Sequence, residues 1–186
     1  MGNIGPKPER AEKHVALTKE YVAKSQLQTA IGLWFHYGDA MSIHTLAAAA
    51  NECYHGIGRK SGAPSLVQTW KKTLPKKGYD AANRPQNFAK HGSRDPAETL
   101  VLNTEYAELL MLDAVICHEK LFGKRTALMT CFFARLTQEN PRLIEFLNRR
   151  RRAEGRKEIV AEKFTEGNRV EFLDRELPAT LAVTGE

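Results

Sequence analysis

What this chain of 186 residues lacks narrows its class before any motif is read. No apolar run approaches the ~20 residues needed to cross a bilayer, and the opening MGNIGPKPER has no apolar block of the kind a secretory signal carries. Both absences predict a cytoplasmic protein with no membrane partner. Pro6 stands where a myristoylation signal wants Ser or Thr, which argues against a lipid anchor despite the Met-Gly start. Cysteine is scarce: Cys53, Cys117 and Cys131 are odd in number and widely spaced, and each lies inside an apolar helical pattern. They read as reduced core thiols rather than a disulfide framework. There is no Cys-x-x-Cys and no His-Glu-x-x-His. The lone Glu-x-x-His, Glu52 to His55, is half of what a di-iron bundle draws from two helices, so no metal and no cofactor are expected. Alternation of period two is missing too, with 98–103 the one short strand candidate.

What is present is helical periodicity. Between 20 and 37, Ala23, Leu27, Ala30, Ile31, Trp34 and Phe35 recur at steps of three and four, which predicts a helix with one buried face. Gly38 is suited to a left-handed stop and Asp39 to capping a second helix over 40–57, so the two form an antiparallel hairpin. The second helix carries Ile43, Leu46, Ala47, Ala50, Cys53, Tyr54 and Ile57 on one stripe. Segment 56–82 is rich in Gly, Pro and Lys, and predicts only a short helix over 65–74 with Ser65 as its cap. Residues 103–122 are apolar almost all round, as befits a central, buried helix, with Asn103 or Thr104 to cap it and Gly123 to end it. Further helices are expected over 126–138, from Pro141 to about 152 and over 158–173. The expected architecture is all-α: a bundle domain over 13–152, a mobile segment over 1–12, and a C-terminal extension over 153–186.

The net charge is +6, and it is concentrated late. From Lys124 to Lys157 there are ten Lys or Arg against Glu139, Glu145 and Glu154. Arg142, Arg149, Arg150, Arg151 and Arg152 would offer a polyanion, RNA above all, a basic face. The stretch NRPQNFAKHGSRDP, 83–96, reads as two helix termini back to back. Pro85 opens a turn, Gly92 stops it, and Asp95, Pro96 and Glu98 start the next helix. Asn87, Lys90, His91 and Arg94 would surround an anion there, or hold a corner by bonding the local backbone. On the second helix His44, Asn51 and His55 form a polar stripe beside the apolar one. Asp113 is the one charge between Glu108 and His118, so burial obliges it to find partners. His44, Lys90, His91 and Arg94 are the candidates.

Taken together, LQTAIGLWFHYGDAMSIHTLAAAA, PQNFAKHGSRDP and LLMLDAVICHEKLFG resemble a family of bacterial all-helical proteins. Its marks are a His-Thr-Leu-Ala hairpin, an Asn-Phe-x-Lys-His-x-x-Arg-Asp-Pro corner and a Leu-Asp-Ala central helix. The resemblance covers 20–123 and implies the fold without an activity. A looser similarity is to HEPN-type bundles, whose ribonuclease members carry an Arg and a His a short spacer apart; Arg84 and His91 have six residues between them. That similarity implies metal-free RNA cleavage at a homodimer interface. His91 would move protons for attack by a ribose hydroxyl, and Arg84 would stabilise the phosphorane. Three functions follow as expectations: an RNA-binding or RNA-cleaving protein, a small-ligand site built from His44, His55, His91 and Asp113, and a noncatalytic interaction module whose corner is structural.

Overall fold

The computed structural model describes residues 15–90, 97–153, 155, 157–159 and 166–185. The expected mobile segment 1–12, His91, Arg94 and the side chain of Arg150 lie outside the described residues. The described chain folds into eight helices: α1 Lys19–Phe35, α2 Ala40–Lys60, α3 Leu66–Lys71, α4 Lys76–Lys90, α5 Thr104–Phe122, α6 Ala127–Glu139, α7 Pro141–Ala153 and α8 Arg169–Thr184. Among the described residues there is no strand, and 98–103 is irregular chain leading into α5. No described helix is long and apolar enough to cross a membrane.

Local chemistry sets most helix starts. The side chains of Thr18, Asp39, Ser65, Asn103 and Thr126 accept hydrogen bonds from first-turn N–H groups of α1, α2, α3, α5 and α6. Gly123, at φ 78°, ends α5 in the left-handed conformation. The hairpin between α1 and α2 departs from expectation: the left-handed residue is Tyr37, at φ 52°, and not Gly38. Gly38 is needed for closeness instead. Its N–H donates to Leu33 O at 2.8 Å, and a Cβ there would lie 2.9 Å from Leu33 Cδ2.

The central layer is α2 and α5. His44 faces Tyr106, Asn51 meets Asp113, and Tyr54 meets His118, so the pairing advances together along both helices and the two run in the same direction. α1 runs antiparallel to α2 and presents Leu27, Ile31, Trp34 and Phe35, all buried. Trp34 packs edge-on against Phe132 of α6, and Phe35 stacks on Phe172 of α8. Each such side chain removed from water contributes about 1.5 to 3 kcal/mol.

Two expectations are overturned. The helix placed over 158–173 is α8, which begins after Asn168, where the Asn168 and Glu171 side chains form a reciprocal capping box. The C-terminal extension is therefore no appendage to 13–152, because Phe172 and Leu173 belong to the same core. Pro85 does not open a turn. It is the tenth residue of α4, and the described part of the corner, 83–90, continues that one helix to its end. α4 buries no residue, so the Ala81 carbonyl that Pro85 leaves unbonded sits on an exposed turn where water can satisfy it.

Candidate functional site

Asp113 has the company its burial demands, but not the company expected. Its carboxylate accepts from Asn51 Nδ2 at 2.9 Å, Ser65 Oγ at 2.5 Å, and the backbone N–H groups of Leu66 and Val67, each at 3.1 Å. Neither His44 nor Lys90 bonds it. The first turn of α3 supplies free N–H groups and a positive dipole end, which serve a buried carboxylate as well as a cation would. Asn51, fully buried, accepts in turn from Gln68 Nε2 at 3.0 Å. A chain of bonds thus runs from the middle of α5 through α2 to α3 and fixes how α3 lies.

That fixing has a consequence for Lys71, one turn on from Val67. Because Val67 is held against α5, position 71 falls on the same inward face, and Lys71 is only 4% exposed. It forms no ion pair and no hydrogen bond with any described residue. Glu52 is its acidic neighbour and favours the charged amine, but burial outweighs it and holds the lysine below its ordinary value of 10.5.

Lys71 borders a polar cavity of about 250 Å³ between α2, α3 and α4. Glu52, Gln68, Asn83, Asn87 and Lys90 also line it, with Tyr79, Asp80 and Gln86. Asp80 is taken by Lys76 at 2.5 Å. The lining carries two ammonium groups and two carboxylates, one of them shared with the exposed Lys76, among four carboxamides and a phenol. The set can hold an anionic group by charge and several more polar atoms by hydrogen bonds. Among the described residues no cluster of three or more His, Cys, Asp or Glu is placed to hold a metal ion.

The structure brings some expected residues together and separates others. Asn87 and Lys90 line the cavity; Asn51 and Asp113 form its support. His44 lies deeper, 1% exposed, with neither ring nitrogen bonded by a described residue. Burial, aided by the Lys71 charge, holds its imidazole below the usual range. Its ring centroid is 5.8 Å from that of Tyr106, whose hydroxyl is likewise buried and unbonded. His55 points elsewhere, its Nε2 lying 3.2 Å from Lys72 Nζ. Arg84 is exposed and donates to Glu98 at 2.8 Å, bracing α4 against the chain entering α5. It is not among the cavity-lining residues. On α7, Arg149 lies 3.5 Å from Glu145 and Arg152 3.3 Å from Glu158, while Arg151 donates to Lys157 O; Arg142 is exposed.

The sequence reading passed over Lys71, Gln68 and Asn83, and weighed Glu52 only as half of a metal motif. A signal for Lys71 existed: it follows Val67 by four residues in a short amphipathic helix, the spacing that puts a cation on the buried face. Compared with known proteins, the chain finds no matching family model, and no curated protein or solved structure matches it.

Proposed function

We propose that this protein binds a small, polar, anionic molecule between α2, α3 and α4, with Lys71 as the anchoring cation. One observation carries the reading: a lysine almost wholly buried, bordering a polar cavity, with no ion pair or hydrogen bond to a described residue. Partial burial already disfavours its ammonium form, and an anion entering the cavity offsets that cost. Lys90 adds a second positive charge at the exposed rim, and Gln68, Asn83 and Asn87 supply directional donors and acceptors. At about 250 Å³ the cavity falls just under the ~300 Å³ where drug-sized sites begin. The ligand is therefore a compact carboxylate or phosphate of few heavy atoms. This reading keeps the anionic partner that the chain's charge suggests but places it in the cavity rather than along α7, where Arg149, Arg151 and Arg152 each have a local acceptor. It includes no catalytic step.

The pH sign follows from Lys71. Its amine is lowered in the folded protein, so between that lowered value and 10.5 the unfolded chain holds more protons, and stability of the free protein rises with pH. Anion binding favours the ammonium, so affinity falls as pH rises through the same window. The test is thermal unfolding of the wild type and Lys71→Met with small organic acids and inorganic phosphate. A ligand at about a hundred times its Kd stabilises by about 2.7 kcal/mol, a rise in Tm on the order of 5 to 10 °C. The wild type should show such a rise with at least one compound, weaker at alkaline pH. Lys71→Met should fold at least as stably and show none. No shift in the wild type, or an equal shift in the variant, would refute the site.

A further inference from the structure

The polar cavity between α2, α3 and α4 grades from a dry floor to a wet rim. Lys71 is buried, Gln68, Asn83 and Gln86 are half-buried, and Glu52 and Lys90 are exposed. Its two lysines therefore meet different solvent, and that gives the same side chain two chemistries. Lys90 keeps its water and acts as a point charge. Lys71 has no ion pair or hydrogen bond with a described residue, and burial holds its amine below the ordinary value despite the Glu52 charge. At a given pH more of it than of an exposed lysine is the free amine, whose lone pair is a nucleophile. The bonds from Leu66 and Val67 N–H to Asp113 fix α3, so this amine is presented to the cavity from a held element.

We infer that Lys71 captures a short oxo acid covalently, as an imine between its Nζ and the carbonyl carbon of the acid. The inference rests on the anion-binding reading above and narrows its ligand to acids that also carry a ketone or aldehyde. A neutral carbonyl enters the floor at less cost than a carboxylate does, and Lys90 can hold the acid group at the wet rim. On attack the nitrogen lone pair forms the C–N bond while the carbonyl pair moves to oxygen, where the carboxamides of Gln68 and Asn83 can donate to it. Glu52, the acidic neighbour of Lys71, can carry a proton from the nitrogen to that oxygen. The nitrogen lone pair then expels the hydroxyl, which takes a second proton from solvent and leaves as water. In net, one ammonium and one carbonyl give one protonated imine and one water, with no oxidation or reduction. The product nitrogen is cationic, so Lys71 ends as the anchoring charge that the anion-binding reading assigns to it.

The test incubates the protein with levulinate or pyruvate and sodium cyanoborohydride, which reduces a protonated imine to a stable secondary amine, and maps the label by peptide mass spectrometry. Methyl propyl ketone, a like carbonyl without the acid, and pentanoate, a like acid without the carbonyl, are the controls. At least one oxo acid should label Lys71 roughly tenfold or more faster than it labels the exposed Lys77 of the same chain, because a bound acid reacts as an intramolecular partner. Levulinate should outpace methyl propyl ketone at Lys71, and Lys90→Met should shrink that advantage. Lys71→Met should leave no label in the cavity. Equal labelling of Lys71 and Lys77, or a ketone that reacts as fast as levulinate, overturns the inference. A rise in Tm with pentanoate or phosphate but no label on Lys71 removes the imine and leaves the anion site standing. No rise in Tm with any acid removes the site, and the ground for the imine with it.

Discussion

At the scale of the residue, Asp113 shows that burial forces a charge to have partners without saying which. Four donors from α2 and α3 converge on it, two of them backbone N–H groups that no composition or motif identifies as cation substitutes. Removing the carboxylate strands those donors in a closed space, at about 1 to 3 kcal/mol for each one left unsatisfied. Asp113→Ala is therefore expected to destabilise by on the order of 4 kcal/mol in urea titration. Asp113→Asn keeps one acceptor and should lose roughly half of that. Because α3 is held by this carboxylate and carries Lys71, Asp113→Asn should also weaken anion binding without touching the cavity. A loss under 1 kcal/mol for Asp113→Ala would mean that α3 is held by its apolar contacts alone.

At the scale of the element, legibility followed the range of the interaction that decides. Asp39, Asn103, Thr126 and Gly123 act within a turn of their own position, and the helices they bound are where the pattern puts them. α4 was not legible, since its stability does not come from a buried face and Pro85 reads as a start. The polar stripe of α2 was visible, and Asn51 does serve the site's support. Whether His44 would face the interior or a cleft depended on where α3 and Tyr106 came to lie, which is tertiary knowledge. Lys71 was missed for a similar reason: lysine is rarely buried, and only the bonds from Asp113 to α3 turn it inward. The sharp turn between α2 and α3 is a further such case, and two glycines of α2 separate its demands. A Cβ at Gly58 would lie 2.1 Å from the carbonyl oxygen of Ala63, whose own N–H donates to Gly58 O at 2.9 Å, whereas a Cβ at Gly56 would meet nothing within 4 Å. Gly58→Ala should cost about 1 to 3 kcal/mol through that clash. Gly56→Ala should gain up to about 1 kcal/mol from helix propensity. Thermal unfolding of both variants checks the contrast, and equal effects would show that the turn gives way freely.

At the scale of the whole molecule, the chain's end is joined to its beginning by one guanidinium. Arg169, at the start of α8, lies 3.0 Å from Glu108 of α5 and 2.8 Å from Glu139 of α6, with its guanidinium carbon 3.7 Å from the centroid of the Trp34 ring of α1. Trp34 Nε1 donates to the same Glu108 at 2.8 Å, so ring, carboxylates and cation hold one another in place. The side chains concerned are about a fifth exposed, which moderates the cost of breaking the pair below the ~3 to 5 kcal/mol of a fully buried one. Arg169→Ala is expected to lose about 2 kcal/mol. Arg169→Lys keeps the charge but not the planar fork that reaches two carboxylates while stacking on an indole, and should recover less than half of the loss. Since Phe172 and Leu173 complete the common core three and four residues later, the loss should appear as a lower midpoint of one cooperative urea transition rather than as early release of α8. A separate early transition in the variant would show that α8 folds onto an already stable bundle, and full recovery by lysine would reduce the cluster to simple charge attraction.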